Sequence, residues 1–321
     1  MGSKAKQFGL VAGLLVTSNV MGIAPAFGYV RTRTTSGVPV KWKNFCIPIV
    51  VHNSAPPSPL TPDIVLKATS DAAASWGRPL FSCTPLQLTV EAAPEADGPA
   101  TNDGVNRVVF RAQKWCREPA LPNVPCYDSA MLAVTTVTTR ADGTGTVIDA
   151  DIEVNASDFN WDDRSVAGTK GQDLQSALVH EFGHFVGFNH TCYDGLGTVP
   201  LDQYDKPVAN CPSANQAARD SIMFPTTIAT TPLRRVLSSE DAKAVCAVYA
   251  PNPDNPAMCV TVGKPINAVD AGVTNKDASA SDAGKAEEKA GCSFGGGGSR
   301  SGGGVVAAAA AVVVLARRRR R

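Results

Sequence analysis

Two observations predict an α+β fold for residues 29–262. Five short runs are rich in β-branched residues and are bounded by turn residues, which is typical of strands. Three longer segments repeat apolar residues at helical spacing. Residues 263–291 lose this periodicity and are rich in Ala, Asp, Lys and Gly, so we interpret them as a flexible linker.

The predicted strands are CIPIVVH (46–52), LQLTVEA (86–92), RVVFRA (107–112), MLAVTTVTT (131–139) and TVIDADIEVN (146–155). In the first run Pro48 has no amide proton to donate, which favours an edge or strand-opening position. His52 is expected only to end that strand. RADGTG separates the last two runs and is a turn signal between two strands.

The predicted helices cover residues 61–76, 173–187 and 237–250. Pro62 suits the first position of the first helix. A side chain that can accept a hydrogen bond from a free backbone amide lies at the start of each helix: Thr61, Asp173, and Ser238 or Ser239.

Both ends of the chain predict export. Residues 1–28 have the layout of a secretory signal peptide: Lys4 and Lys6, an apolar run and small residues up to Gly28. A buried N-terminal helix is the alternative, but glycine and proline interrupt it. Residues 292–321 hold a cysteine, a glycine-rich spacer, a 12-residue apolar run and a terminal cluster of five arginines. As a helix that run would reach about 18 Å, too short for a core about 30 Å thick, so we expect transient membrane contact only.

The charge of the body argues against nucleic-acid binding. The whole chain has 30 basic and 29 acidic residues, but eight of the basic residues lie in the two ends. The remaining 22 basic residues against 29 acidic residues give a net charge of −7. A body this acidic is not expected to bind phosphate backbones.

The nine cysteines favour an oxidising compartment, and eight of them lie in the body. No CxxC pair occurs, which argues against the competing interpretation, a zinc site of four cysteines. Sequence proximity suggests the pairs Cys46–Cys83, Cys116–Cys126, Cys192–Cys211 and Cys246–Cys259, although eight cysteines allow many connectivities.

HEFGHFVGFNH (180–190) holds three of the four histidines in the chain. On a helix His180 and His184 share one face and can bind one metal ion. Glu181 is rotated by about 100° from the first ligand, so its carboxylate can reach a water on the metal. Gly187 can end the helix in a left-handed turn that returns His190 as a third ligand. Three protein ligands predict a catalytic zinc site with an open fourth position.

The same residues resemble the HExxHxxGxxH signature of the metzincin zinc endopeptidases. SIMFP (221–225) resembles the methionine turn of that clan, with Met223 beneath the metal and Pro225 behind it. This turn and LSSEDAKAVCAVY (237–249) resemble the matrixins in particular, and DADIEVN (149–155) is similar to their final strand.

The resemblance implies a zincin fold: a twisted, mostly parallel sheet of about five strands with an antiparallel edge strand, an active-site helix and a C-terminal helix. It implies a secreted zinc endopeptidase in which Glu181 is the general base. MLAVTTVTT would be the edge strand that binds an extended protein or peptide substrate, with backbone contacts at Ala133 and Val134. We expect a monomer. A non-catalytic surface binder and a zinc amidase that acts on cell-wall material are the alternatives.

Several features depart from the matrixin pattern. The PRCGxPD latency motif of matrixin propeptides is absent, and the link from His190 to Met223 is longer than usual. With four histidines, the second, structural zinc of animal matrixins cannot form in its usual way. Calcium could bind to the acidic loop of Asp158, Asp162 and Asp163, but such loops are more often only solvated.

The tail resembles the tripartite C-terminal sorting signals of myxobacterial surface proteins. That resemblance implies processing near Cys292 and a final location at the cell surface (outer membrane) or in the extracellular medium.

Overall fold

A computed structural model describes residues 28–52, 56–77, 82–93, 100–117, 126–225 and 233–251, and the backbone of 309–315. The predicted signal peptide up to residue 27, the predicted linker, Cys259 and Cys292 lie outside these residues. The described helices are α1 (Pro62–Ala74), α2 (Leu174–Phe185), α3 (Gln216–Asp220) and α4 (Ser239–Val248). The described strands are β1 (Lys41–Trp42), β2 (Cys46–Val51), β3 (Gln87–Ala92), β4 (Arg107–Arg111), β5 (Met131–Thr139), β6 (Thr146–Asn155), β7 (Trp161–Asp162), β8 (Gln172–Asp173) and β9 (Ala309–Leu315).

One mostly parallel sheet forms the centre of the fold. Its strand order is β3-β2-β4-β6-β5-β9, and β1 pairs with β6 outside this path. The neighbours run parallel except for the β5–β6 and β5–β9 pairs, which are antiparallel. The predicted α+β class and the mostly parallel sheet are therefore confirmed. β7 and β8 form a separate two-stranded ladder.

The position of Pro48 differs from the prediction, because β2 is an inner strand between β3 and β4. The amides of Val50 and His52 donate to carbonyls on the β4 side, and Pro48 belongs to the same alternate set. β4 pairs with β2 only from Val50 onward. At Pro48 there is no β4 residue opposite, so the absence of a backbone N–H costs no hydrogen bond between these strands. The Pro48 carbonyl accepts instead from Asn106 Nδ2 at 2.8 Å.

The outer strand β9 was not predicted. Its backbone pairs with β5 from Met131↔Leu315 to Thr138↔Ala309. The prediction that β5 is the edge strand is therefore wrong for the chain with its tail in place. The apolar run that we considered as a short helix forms a strand at these residues, since an alanine-valine run alone does not distinguish the two.

The predicted caps of the long helices are confirmed. The side chains of Thr61, Asp173 and Ser238 each accept a hydrogen bond from a backbone amide three residues later. At α4 the carboxylate of Asp241 also accepts from the Ser238 amide, which completes a capping box. No described helix is long and apolar enough to cross a membrane.

Two tryptophans hold α2 in place. Trp76, which follows α1, donates from its indole Nε1 to the Val179 carbonyl at 2.7 Å. Trp42 of β1 donates in the same way to the Phe185 carbonyl at 2.8 Å. Both rings are buried, so α2 is fixed at its middle and at its carboxyl end.

The face of β6 that points away from the apolar core is acidic and buried. Asp149, Asp151 and Glu153 alternate along the strand away from the apolar core. Glu153 forms ion pairs with Arg111 at 2.6 Å and Arg117 at 3.1 Å. The end of β4 and the loop that follows it therefore cover this face with positively charged groups.

The disulfides agree with the predicted pairing in part. Cys116–Cys126 and Cys192–Cys211 are confirmed. The structure pairs Cys83 with Cys246, so the predicted pairs Cys46–Cys83 and Cys246–Cys259 are wrong. Cys46 is also disulfide-bonded. The Cys83–Cys246 bridge spans 163 residues and ties the loop before β3 to α4, a contact that sequence proximity could not indicate.

Candidate metal centre

Three imidazoles meet beside the carboxyl-terminal half of α2. His180 and His184 lie one turn apart on the helix, and His190 follows in the loop that leaves it. The Nε2 atom of His184 is 3.1 Å from that of His180 and 3.2 Å from that of His190, and the third separation is 3.3 Å. Among the described residues, this is the one group of three or more His, Cys, Asp and Glu side chains that could hold a metal ion.

Gly187 makes the turn that brings His190 back to the helix. Its φ is +87°, the left-handed region that was predicted for it. A Cβ atom at this position would lie 2.4 Å from the Val40 carbonyl oxygen. No other residue fits here without displacing the backbone of the N-terminal segment.

The outer nitrogen of each imidazole faces an acceptor. His180 Nδ1 lies 2.7 Å from the Ile222 carbonyl, and His184 Nδ1 lies 2.9 Å from the Phe188 carbonyl. His190 Nδ1 lies 3.3 Å from Asp194 Oδ2. Since these oxygens accept, each Nδ1 carries the proton, and in the neutral ring Nε2 keeps a free lone pair.

Burial keeps the two helical imidazoles neutral. It lowers the pKa of His180 to about 3, with a further contribution from the neighbouring His190 ring. It also lowers the pKa of His184 well below the ordinary value. The Nε2 atoms of His180 and His184 therefore carry no proton, and the three Nε2 atoms lie within 3.3 Å of one another. This arrangement is unfavourable unless a cation lies between them.

The geometry fits a zinc ion. Tetrahedral zinc with Zn–N bonds of about 2.0–2.1 Å separates its nitrogen ligands by about 3.3 Å. The Nε2 separations of 3.1–3.3 Å are close to this value. A metal held by three imidazoles keeps a fourth position for water or substrate.

Glu181 is buried between α2 and β5. Its carboxylate Oε2 accepts from the Thr135 hydroxyl of β5 at 2.5 Å, and the side chain is 1% exposed. Burial raises the pKa of Glu181 to about 8, while the hydrogen bond from Thr135 acts in the opposite direction. A carboxyl with a pKa near neutrality is suited to take up and release a proton.

The segment 221–225 contacts the first imidazole, since the Ile222 carbonyl lies 2.7 Å from His180 Nδ1. Met223 is buried, and its Sδ lies 2.1 Å from where a Cβ at Gly183 would be, so the helix glycine is needed for close packing. Pro225 is also buried. The carboxylate of Asp241 on α4 accepts from the Ser221 hydroxyl at 2.5 Å and from the Ile222 amide at 2.9 Å. The α4 cap therefore also fixes the carbonyl that orients His180.

The predicted substrate contacts lie on β5. Ala133 and Val134 are buried, and their backbones pair with β6 on one side. On the other side Val134 pairs with Val313 of β9. The surface expected for a peptide is therefore covered by the tail strand. His52 follows β2 and does not belong to the histidine group.

The three carboxylates predicted to bind calcium each have a separate protein partner. Asp163 forms an ion pair with Arg235 at 2.6 Å. Asp162 accepts from backbone amides of the same loop, and Asp158 accepts from Asn155 Nδ2 at 3.0 Å. Each carboxylate expected for calcium is thus engaged by a different protein group.

Two residues of the site were missed in the sequence. Thr135 is one of several threonines in β5, and nothing in the run distinguishes the one that faces α2. Asp194 lies in the long loop after His190, where its position four residues after a ligand was the available signal.

No protein-family model matches this chain, and no curated protein matches it.

Proposed function

We propose that this chain is a zinc-dependent endopeptidase with a metzincin-like, matrixin-type catalytic domain. The observation that carries the proposal is the group of three buried Nε2 atoms 3.1–3.3 Å apart, beside a buried glutamate on the same helix. The central sheet, α2 and the closing helix α4 agree with the architecture that the zincin resemblance implies.

His180, His184 and His190 would hold the metal. Bound zinc polarises the scissile carbonyl and lowers the pKa of a water toward about 7. The acceptors at the three Nδ1 atoms hold the rings in the tautomer that binds metal.

Glu181 moves the proton. Its Oε2 is held by Thr135 at 2.5 Å, which leaves Oε1 to take a proton from the attacking water and pass it to the leaving amine. The hydrogen bond also fixes one oxygen of the carboxylate and so limits how the side chain can turn. This positioning contributes to the rate because a general base must lie within hydrogen-bond reach of the proton it accepts.

The substrate would be an extended protein or peptide segment along β5. The antiparallel pairing of β9 with β5 occupies that edge, so a substrate strand takes the place of the tail. Removal of the tail near Cys292, as its sorting-signal resemblance implies, would free the edge. Export and a location at the cell surface or outside the cell are part of the same proposal.

Incubation with casein and with peptidoglycan tests the proposal, with and without chelator. We expect casein cleavage that the chelator abolishes and one equivalent of zinc restores. A chain that binds zinc but cleaves neither polymer would be a non-catalytic surface binder. A chain that releases only peptidoglycan fragments would be a cell-wall amidase.

A further inference from the structure

We propose that Asp194 is a positioning residue for the metal site: its carboxylate holds His190 and strengthens metal binding by that ligand. This inference rests on the proposed metal site. Asp194 Oδ2 lies 3.3 Å from His190 Nδ1, and the Asp194 side chain is 13% exposed. This carboxylate lies on the Nδ1 side of the His190 ring, while Nε2 faces the other two imidazoles.

The three ligands differ in what orients them. His180 and His184 lie on a helix and donate to backbone carbonyls. His190 lies in a loop, and its partner carries a full negative charge. A carboxylate on the outer nitrogen makes an imidazole a more basic ligand as well as fixing the ring. The ligand that the helix does not hold is therefore the one with a charged partner.

The loop around Asp194 is built to keep the carboxylate in place. The Thr191 amide donates to the Met223 carbonyl at 3.1 Å, which fixes the residue after His190. The Cys192–Cys211 disulfide closes the loop. The Tyr193 amide donates to the Ala209 carbonyl at 2.9 Å, and the Tyr193 carbonyl accepts from the Cys211 amide at 3.0 Å.

The second oxygen of the carboxylate is also held. The Leu196 amide donates to Asp194 Oδ1 at 3.0 Å. With one oxygen bound by its own loop and the other facing His190, the carboxylate has a single orientation. The long link between His190 and Met223 thus acquires a role: it carries and fixes the partner of the third ligand.

Zinc affinity measured by competition with a chromophoric chelator tests this inference without any proteolysis. Asp194→Ala should bind zinc about 10–100-fold more weakly than the wild type, the usual cost of losing a carboxylate behind a ligand. Asp194→Asn keeps an acceptor without the charge and should fall between the two. Asp205→Asn is the matched control, because Asp205 belongs to the same loop but is exposed and pairs with Arg33; it should stay within about twofold.

NMR signals of the imidazoles distinguish a local effect on His190 from a disturbance of the whole metal site. The chain has four histidines, so the imidazole N–H signals of the zinc-loaded, ¹⁵N-histidine-labelled protein can be assigned. In Asp194→Ala the His190 Nδ1–H signal should shift or exchange with water, while those of His180 and His184 stay in place.

Zinc affinity of Asp194→Ala within twofold of the wild type would overturn the inference. Weaker binding in which all three signals move together, or none moves, would overturn it as well. In both cases the wild type still binds zinc, so the proposed function survives. A wild-type chain that binds no zinc would remove both proposals.

Discussion

Replacing Thr135 by valine should move the pH dependence of peptide cleavage. Valine keeps the shape of threonine but removes the hydroxyl that donates to Glu181 Oε2 at 2.5 Å. Burial raises the pKa of Glu181, to about 8 with this bond in place, and the bond acts in the opposite direction because it stabilises the ionised carboxylate. A hydrogen bond to a charged group contributes about 1.5–3 kcal/mol, and one pKa unit corresponds to about 1.4 kcal/mol. The pKa of Glu181 should therefore rise by about 1–2 units in Thr135→Val.

The assay is kcat/KM for a quenched fluorescent peptide as a function of pH. Because cleavage needs the ionised carboxylate, the acid limb should move to higher pH by the same amount. Thr136→Val is the control, since Thr136 is also buried but lies on the opposite face of β5; its acid limb should stay at the wild-type position. A Thr135→Val profile that superimposes on the wild type, or moves to lower pH, would refute the role of this hydrogen bond.

Three further predictions concern packing, charge and the tail. Gly183→Ala should lower the free energy of unfolding in urea by up to about 2 kcal/mol. Overpacking against Met223 and Trp76 costs about 1–3 kcal/mol, and the helix preference of alanine returns about 1 kcal/mol. A variant more stable than the wild type would contradict this. Burial, and to a lesser extent the neighbouring carboxylate of Asp149, raises the pKa of Asp151 from 3.8 to about 8. The contribution of Asp151 to the free energy of unfolding is therefore present below about pH 4 and is lost as pH rises toward 8. Asp151→Asn should therefore reduce the loss of unfolding free energy between pH 5 and 8, and an equal loss in both proteins would contradict this. A chain without residues 292–321 should cleave peptide with a lower KM than the full chain, because β9 no longer covers β5, and equal KM values would contradict this.

Local elements could be predicted from the sequence because their signals are local. The structure gives β5 and β6 the bounds 131–139 and 146–155 that the β-branched runs predict. The helix 173–187 was predicted two residues too long at its carboxyl end, since Val186 and Gly187 form the turn beyond it. The spacing of the histidines predicted their shared face, because four residues of helix fix that geometry.

Contacts between distant segments could not be predicted in the same way. The Cys83–Cys246 bridge and the Thr135–Glu181 hydrogen bond join residues far apart in sequence, so only the packed sheet and helices bring them together. The pairing of β9 with β5 is another such contact. The position of the Asp194 carboxylate beside His190 depends on the path of a disulfide-closed loop, and no periodic sequence pattern predicts that path.

Parallel measurement of zinc content and peptide cleavage in Glu181→Ala tests the central claim most directly. The three imidazoles do not depend on the carboxylate for their orientation, so the variant should keep about one zinc per chain. Without the general base, kcat/KM should fall by about 10²–10⁴-fold, and Glu181→Gln, which keeps the shape, should fall by as much. A zinc-loaded Glu181→Ala chain that cleaves peptide at the wild-type rate would contradict the account.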